Sequence, residues 1–241
     1  MDVYKTLSFS EAVRGNAYPG RGIIAGETPD GKKAVAAYFI MGRSENSRNR
    51  VFTVKGDAVF TEPFDISKLE DPSLIIYAAV RKVGSHLIVT NGNQTDTIAE
   101  GLNAGSDFHK SLKQRTFEPD APNFTPRISA EIVFDDQAGF DYRMSILKSA
   151  DAEGTACNRY GYEYSPIPGL GHFIHTYECD GNPLPTFQGE PARIAVPDSI
   201  DEFADEIWNA LDENNKISLY VIYTDLISGE TETRLFNKNT K

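Results

Sequence analysis

Ile23-Ile24-Ala25, then Thr28-Pro29-Asp30-Gly31, then Ala34-Val35-Ala36-Ala37-Tyr38-Phe39-Ile40-Met41 is the stretch whose reading decides the fold class. A short apolar segment, a tetrapeptide with good turn chemistry at each position, and a nearly continuous apolar run together predict a buried β-hairpin. On its N-terminal side, Gly15-Asn16-Ala17-Tyr18-Pro19-Gly20-Arg21-Gly22 combines three glycines with a proline, a composition suited to tight turns and close backbone approach. On its C-terminal side, Met41-Gly-Arg-Ser-Glu-Asn-Ser-Arg-Asn-Arg50 gathers three arginines among short hydroxyl and amide side chains. A guanidinium group donates two parallel hydrogen bonds to paired oxygens, so this segment suits a phosphate or a carboxylate. The competing reading is an exposed basic loop that balances nearby acids.

The hairpin pattern continues. Val51–Lys55 and Ala58–Thr61 flank Gly56-Asp57, and Leu74–Val80 and His86–Thr90 are joined through Lys82-Val83-Gly84-Ser85. Tight turns make such strands antiparallel neighbours. After Asn91-Gly92 the spacing favours two short helices, over Thr95–Leu102 and Ser106–Leu112. A second block repeats strands and then helix: Arg127–Phe134 and Tyr142–Lys148, Gly- and Pro-rich loops over 161–191 around a strand at His172–Tyr177, and a helix from Ser199. Ser199 with Glu202 has the form of a capping box, and Phe203, Ile207, Trp208 and Leu211 trace its apolar stripe. Ile217–Asp225 and Glu230–Phe236, joined at Ser228-Gly229, complete a last hairpin that returns beside the earlier strands. No long linker or repeat interrupts 1–241, so an α+β chain of one domain is expected.

Composition narrows the function. The chain has 241 residues, 40% hydrophobic and 24% charged, with a net charge of -11. A pI near 4.9 argues against nucleic acid polymers, which demand an extended basic surface. One small anionic ligand needs only a local cluster. Cys157 and Cys179 have no second pair to form a zinc pattern, no apolar stretch is long enough for a bilayer, and Met1-Asp2-Val3-Tyr4-Lys5 lacks the regions of an export signal. A cytoplasmic protein without membrane partners is therefore expected. His172 and His175 point to opposite faces of a strand, which disfavours a metal site, and Cys157 has no identifiable base partner. Tyr160, Tyr162 and Tyr164 alternate and so belong to one side of an extended segment.

Four stretches carry a more specific signal: Tyr18-Pro-Gly-Arg-Gly22, Gly42-Arg-Ser-Glu-Asn-Ser-Arg-Asn-Arg50, Asn91-Gly-Asn-Gln-Thr-Asp96 and Phe124-Thr-Pro-Arg-Ile128, with Tyr77 one hairpin before the third. In this order and spacing the chain resembles the archaeal-type inosine monophosphate cyclohydrolases and their bacterial relatives. The resemblance implies a four-layer αββα sandwich like that of N-terminal nucleophile hydrolases. The nucleophile itself is missing, since the chain starts Met1-Asp2-Val3, and Thr6 and Ser8 are internal. A different chemistry on that fold is implied: the carboxamide nitrogen of a formylated imidazole carboxamide ribonucleotide attacks its own formyl carbon, and water leaves. No metal and no organic cofactor is required.

By the same resemblance, Arg43 and Arg48 match the arginines of the family's Arg-Ser segment and contact the 5′-phosphate or the developing oxyanion, with Arg21 and Arg50 as further candidates. Tyr77 matches an active-site tyrosine that an adjacent arginine would acidify, and Glu118 fits the catalytic carboxylate, with Asp120 as the alternative. Asn91, Asn93, Gln94 and Asp96 are candidates for base or ribose recognition, against the simpler reading of a turn and a helix cap. Arg127 is either a ligand contact or an ion-pair partner. The expected partner is a purine-pathway ribonucleotide, and self-association into a homo-oligomer is left open. Two other readings compete with catalysis of ring closure, a nucleotide-binding regulator without activity and an amide hydrolase on the same scaffold. The C-terminal half, from about residue 150, is longer than the compact archaeal pattern.

Overall fold

In the computed structural model, residues 4–68 and 75–240 are described. Met1, Asp2, Val3 and Leu74, which the sequence reading used, lie outside them. The first half contains α1 (Phe9–Ala12), β1 (Arg21–Glu27), β2 (Lys33–Met41), α2 (Glu45–Arg48), β3 (Val51–Lys55), β4 (Ala58–Glu62), β5 (Tyr77–Val83), β6 (His86–Thr90), α3 (Gln94–Asn103) and α4 (Phe108–Leu112). The second half contains β7 (Arg127–Phe134), β8 (Phe140–Ser149), β9 (Cys157–Tyr164), β10 (Leu170–His175), β11 (Ala192–Ala195), α5 (Ile200–Ala210), β12 (Lys216–Asp225) and β13 (Thr231–Asn237). The strands form two sheets, in the orders β11-β10-β1-β2-β12-β13 and β3-β4-β5-β6-β7-β8-β9. Every pairing between these strands is antiparallel.

The opening hairpin forms with Ile23 opposite Tyr38 and Ala25 opposite Ala36. Its continuous apolar run reflects burial on both faces. Ile23, Ala25, Ala36, Tyr38 and Ile40 point into a core shared with Tyr77, Val89, Ile128, Ala130, Met144 and Ile146 of the second sheet. Ile24, Val35, Ala37 and Phe39 pack on the opposite face against Phe9 of α1 and Phe203 and Ile207 of α5. A smaller core joins Ile88 and Leu147 of the second sheet to Ile98 of α3 and Phe108 and Leu112 of α4. The two sheets thus pack face to face, with helices against the outer face of each.

Several expectations shift. The strand expected over Leu74–Val80 begins at Tyr77 and runs to Val83. The arginine segment contains a capped helical turn, in which the Ser44 hydroxyl accepts from the Ser47 amide at 3.1 Å. Residues 161–164, the start of the stretch expected as Gly- and Pro-rich loop, belong instead to β9, which pairs with β8 from Ser149 opposite Cys157 to Tyr142 opposite Tyr164. Its signal was weak because the strand lies at a sheet edge and most of its side chains are not buried. Tyr162 and Tyr164 pack on the core between the sheets, whereas Tyr160 is exposed and meets Lys148. The Ser199 hydroxyl caps α5 by accepting from the Glu202 amide at 3.3 Å. The last hairpin returns as expected, with β12 beside β2, so the C-terminal half completes the first sheet.

Candidate active site

The elements bring their chemistry together at strand ends. Arg21 opens β1, Tyr77 opens β5 and Arg127 opens β7, while Arg50 directly precedes β3 and Glu118 lies in the loop after α4. Tyr38 reaches the same place from within β2, and its hydroxyl lies 2.9 Å from that of Tyr77, a hydrogen bond that crosses from one sheet to the other. None of these six residues is more than 7% exposed. Folding has therefore enclosed three guanidinium groups, one carboxyl and two phenols.

Such a cluster is electrostatically unbalanced. Arg127 Nη1 stands 4.0 Å from Glu118 Oε1, an ion pair at the limit of contact. Arg21 Nε and Arg50 Nε are buried without a hydrogen-bond partner among the described residues. A buried charge without full pairing is costly, so these donors fit an anion arriving from outside. Burial raises the Glu118 pKa above the ordinary carboxylate range, against the opposing pull of Arg21 and Arg127. Burial lowers the pKa of Arg50, reinforced by like charge from Arg21, and burial also lowers that of Arg127. Arg21 is disfavoured by burial too, yet Tyr18, Tyr177 and Glu118 outweigh that cost and raise its pKa. Burial likewise pushes the Tyr38 phenol well up.

A second layer supports the cluster. The hydroxyls of Thr125 and Tyr177 lie 2.6 Å apart, Asp120 accepts from the Thr125 amide at 2.6 Å, and Tyr177 stacks on Tyr18 with ring centroids 5.8 Å apart. Gly20 makes this possible. It has φ of +80°, and a Cβ there would come within 2.2 Å of Thr176 Oγ1 and 2.5 Å of the Tyr177 ring. At Gly92 a Cβ would meet Arg127 Nη1 at 2.4 Å, Gln94 Oε1 at 2.7 Å and Glu118 Oε1 at 3.4 Å.

The residues proposed from sequence do not all come together. Arg21, Arg50, Tyr77, Glu118 and Arg127 converge. Arg43 is connected to them through Tyr18: its guanidinium carbon lies 5.1 Å from that ring centroid, while Nη1 donates to Gly181 O at 2.9 Å and pairs with Asp180. Arg48 donates to Gly42 O at 3.0 Å and Asn215 Oδ1 at 3.2 Å, tying α2 to the ends of β2 and β12. Asp96 lies on the exposed side of α3 and pairs with Arg81 at 2.7 Å. Asn91 and Gln94 are fully enclosed and bonded to protein groups. Tyr38 and Tyr177 were missed from sequence, where each reads as one more core aromatic. A cavity of about 450 Å³ lies elsewhere, between β3–β4 and β12–β13, and has no arginine in its lining. Charge and unsatisfied donors mark the site better than volume does, because a small anion needs paired donors more than space.

Comparison with known proteins agrees with this chemistry. The family described as IMP cyclohydrolase-like protein matches residues 18–230. An IMP cyclohydrolase from Methanopyrus kandleri is 32% identical over 186 residues, which are 71% of this chain and 89% of that protein. One from Methanococcus aeolicus is 30% identical over 167 residues, 67% of this chain and 75% of its own length. One from Methanococcus maripaludis is 34% identical over 124 residues, 49% of this chain and 60% of its own.

Proposed function

The chain belongs to the IMP cyclohydrolase-like protein family, and from that premise we propose that its buried arginine cluster closes the second ring of a purine ribonucleotide. The substrate is 5-formamidoimidazole-4-carboxamide ribonucleotide, and the products are IMP and water. One observation carries this reading: two buried guanidinium Nε groups without partners among the described residues sit beside a half-paired carboxyl and a phenol pair.

The carboxamide nitrogen is a poor nucleophile, so holding the formyl carbon against it supplies much of the acceleration, on the order of 7 to 11 kcal/mol for a well-oriented pair. As the C–N bond forms and closes the ring, the formyl π electrons move onto oxygen, where the guanidinium groups stabilise the charge and the Tyr77 hydroxyl delivers a proton. Glu118 takes the proton that the attacking amide loses. In the second step Glu118 returns its proton to the new hydroxyl, which leaves as water, the former formamide nitrogen gives its proton to the Tyr77 oxygen, and a C=N bond completes the purine ring. A carboxyl that burial holds above its ordinary pKa is a stronger base than a free carboxylate, which suits both accepting and returning a proton. Arg21, Arg50 and Arg127 provide the anion contacts, and Arg43 stands at the rim where the ribonucleotide's phosphate would enter.

The two face-to-face sheets with helices outside also support reading the chain as a single four-layer αββα domain resembling the N-terminal nucleophile hydrolase fold. A cytoplasmic location belongs to the same proposal. Incubating the purified protein with the formylated ribonucleotide and following IMP by absorbance tests the activity. Enzyme-dependent IMP formation is expected. Tight nucleotide binding with no product would replace this reading by that of a regulatory binding protein.

A further inference from the structure

We propose that Gln94 is a positioning residue that holds Arg127 back from Glu118, so that the carboxyl stays free to exchange protons. This rests on the assignment of Glu118 to proton transfer. The orientation of Gln94 is forced by backbone groups. Asn91 Nδ2 donates to Pro126 O at 2.8 Å, and Asn91 Oδ1 accepts from the Ile128 amide at 2.9 Å. A carbonyl can only accept and an amide N–H can only donate, so the Asn91 carboxamide has one possible orientation. Gln94 Nε2 then donates to Asn91 Oδ1 at 2.9 Å and to Ile128 O at 3.1 Å. Its Oε1 is left facing Arg127 and accepts from Nη1 at 2.7 Å.

The same Nη1 is 4.0 Å from Glu118 Oε1. A guanidinium and a carboxylate enclosed together would ordinarily close into a short charge-assisted pair of about 2.7 to 2.9 Å. Here a neutral acceptor takes the donor first. Gly92 is the backbone point where all three groups meet, and it has no side chain to separate them. The charged groups acting on Glu118 are Arg21 of β1, Arg50 before β3, Arg127 of β7 and Asp120 of its own loop. Of these, Arg127 is the one that Gln94 controls.

The test compares Gln94→Leu with Gln94→Glu by titrating Glu118 in protein carrying 13C-labelled glutamate, alongside kcat and KM over pH. Without its neutral acceptor, Arg127 closes on Glu118, so Gln94→Leu should lower the Glu118 pKa by about one unit or more. The acidic limb of kcat/KM should move with it, and kcat should fall roughly 10- to 100-fold with KM much less affected. Gln94→Glu captures Arg127 and adds a negative charge, so it should move Glu118 upward. Unchanged titration, or shifts of the same sign in both variants, would overturn the proposal. So would a rise in KM without loss of kcat, which would make Gln94 a ligand contact. If Gln94→Leu fails to fold, the near-isosteric Gln94→Met, which also lacks the acceptor, should show the same downward shift of Glu118, and an unshifted Glu118 there would overturn the proposal. The titration needs no substrate: opposite shifts in a protein that makes no IMP would leave the positioning role standing while the proposed activity fell.

Discussion

Tyr77 and Glu118 carry the reaction's proton traffic in this reading, and their surroundings explain how two ordinary side chains do so. Tyr77 is bonded to Tyr38 across the sheets, and Glu118 is enclosed with three arginines yet tightly paired with none. Replacing Tyr77 by Phe or Glu118 by Gln should lower kcat by roughly 10²- to 10⁴-fold with a smaller change in KM, measured by steady-state kinetics. Retained turnover would remove the residue from the mechanism. Gly20 makes a different kind of prediction. Its positive φ and the contact a Cβ would make with Thr176 mean that Gly20→Ala should cost upward of about 1 kcal/mol, read from chemical denaturation. At this scale the tyrosine, the carboxylate and the buried arginines were nameable from the motifs. The division of labour among the arginines was not: Arg43, Arg48 and Arg50 are neighbours in sequence, yet a single helical turn sends Arg48 to Asn215 and Arg43 to Tyr18 while Arg50 goes inward.

At the level of elements, each strand is one side of a bargain with its neighbour, and the legible ones were those whose burial shows in their own composition. The β1–β2 hairpin is apolar on both faces because it has a sheet on one side and helices on the other. Strand β9 is mostly unburied, and β11 is only four residues long at a sheet edge, so neither carries a strong apolar pattern of its own. Helix α5 stood out because its cap and its stripe agree. Removing the cap with Ser199→Ala should cost about 1 kcal/mol in denaturant unfolding and leave kinetics unchanged, since Ser199 follows Asp198, which accepts from the Asp30 amide in the β1–β2 turn, the end of that hairpin opposite Arg21.

The two sheets are joined by more than apolar packing. Tyr142 of the second sheet lies 2.6 Å from Nδ1 of His172 in the first, and Tyr164 stacks on the same imidazole at 3.7 Å. Burial, with Arg193 nearby, lowers the His172 pKa to about 4. Between that value and the ordinary 6.5, the unfolded chain binds a proton that the folded chain does not. Stability present above about pH 6.5 is therefore lost as pH falls toward 4, by up to about 3 kcal/mol. Urea unfolding across that range should show the loss, and a His172→Asn variant should show a shallower slope; an equal slope would remove His172 as its cause. The inter-sheet bond between Tyr38 and Tyr77 lies in the site itself, so a weakened interface should reduce activity along with stability.

Hairpin turns, helix caps, apolar periods and the ordered set of motifs were all settled by residues close together along the chain, because turn chemistry, capping and face periodicity are local interactions. Those signals sufficed for the antiparallel α+β class, for most strand positions and for the family. What needed the tertiary structure was the pairing of particular distant groups: Tyr38 meeting Tyr77, Gln94 reaching Arg127 and the choice of β2 as the strand that β12 returns beside. The reason is physical. Where an arginine goes depends on whether burial leaves it a partner, and that partner is chosen by which strand ends the two packed sheets bring together.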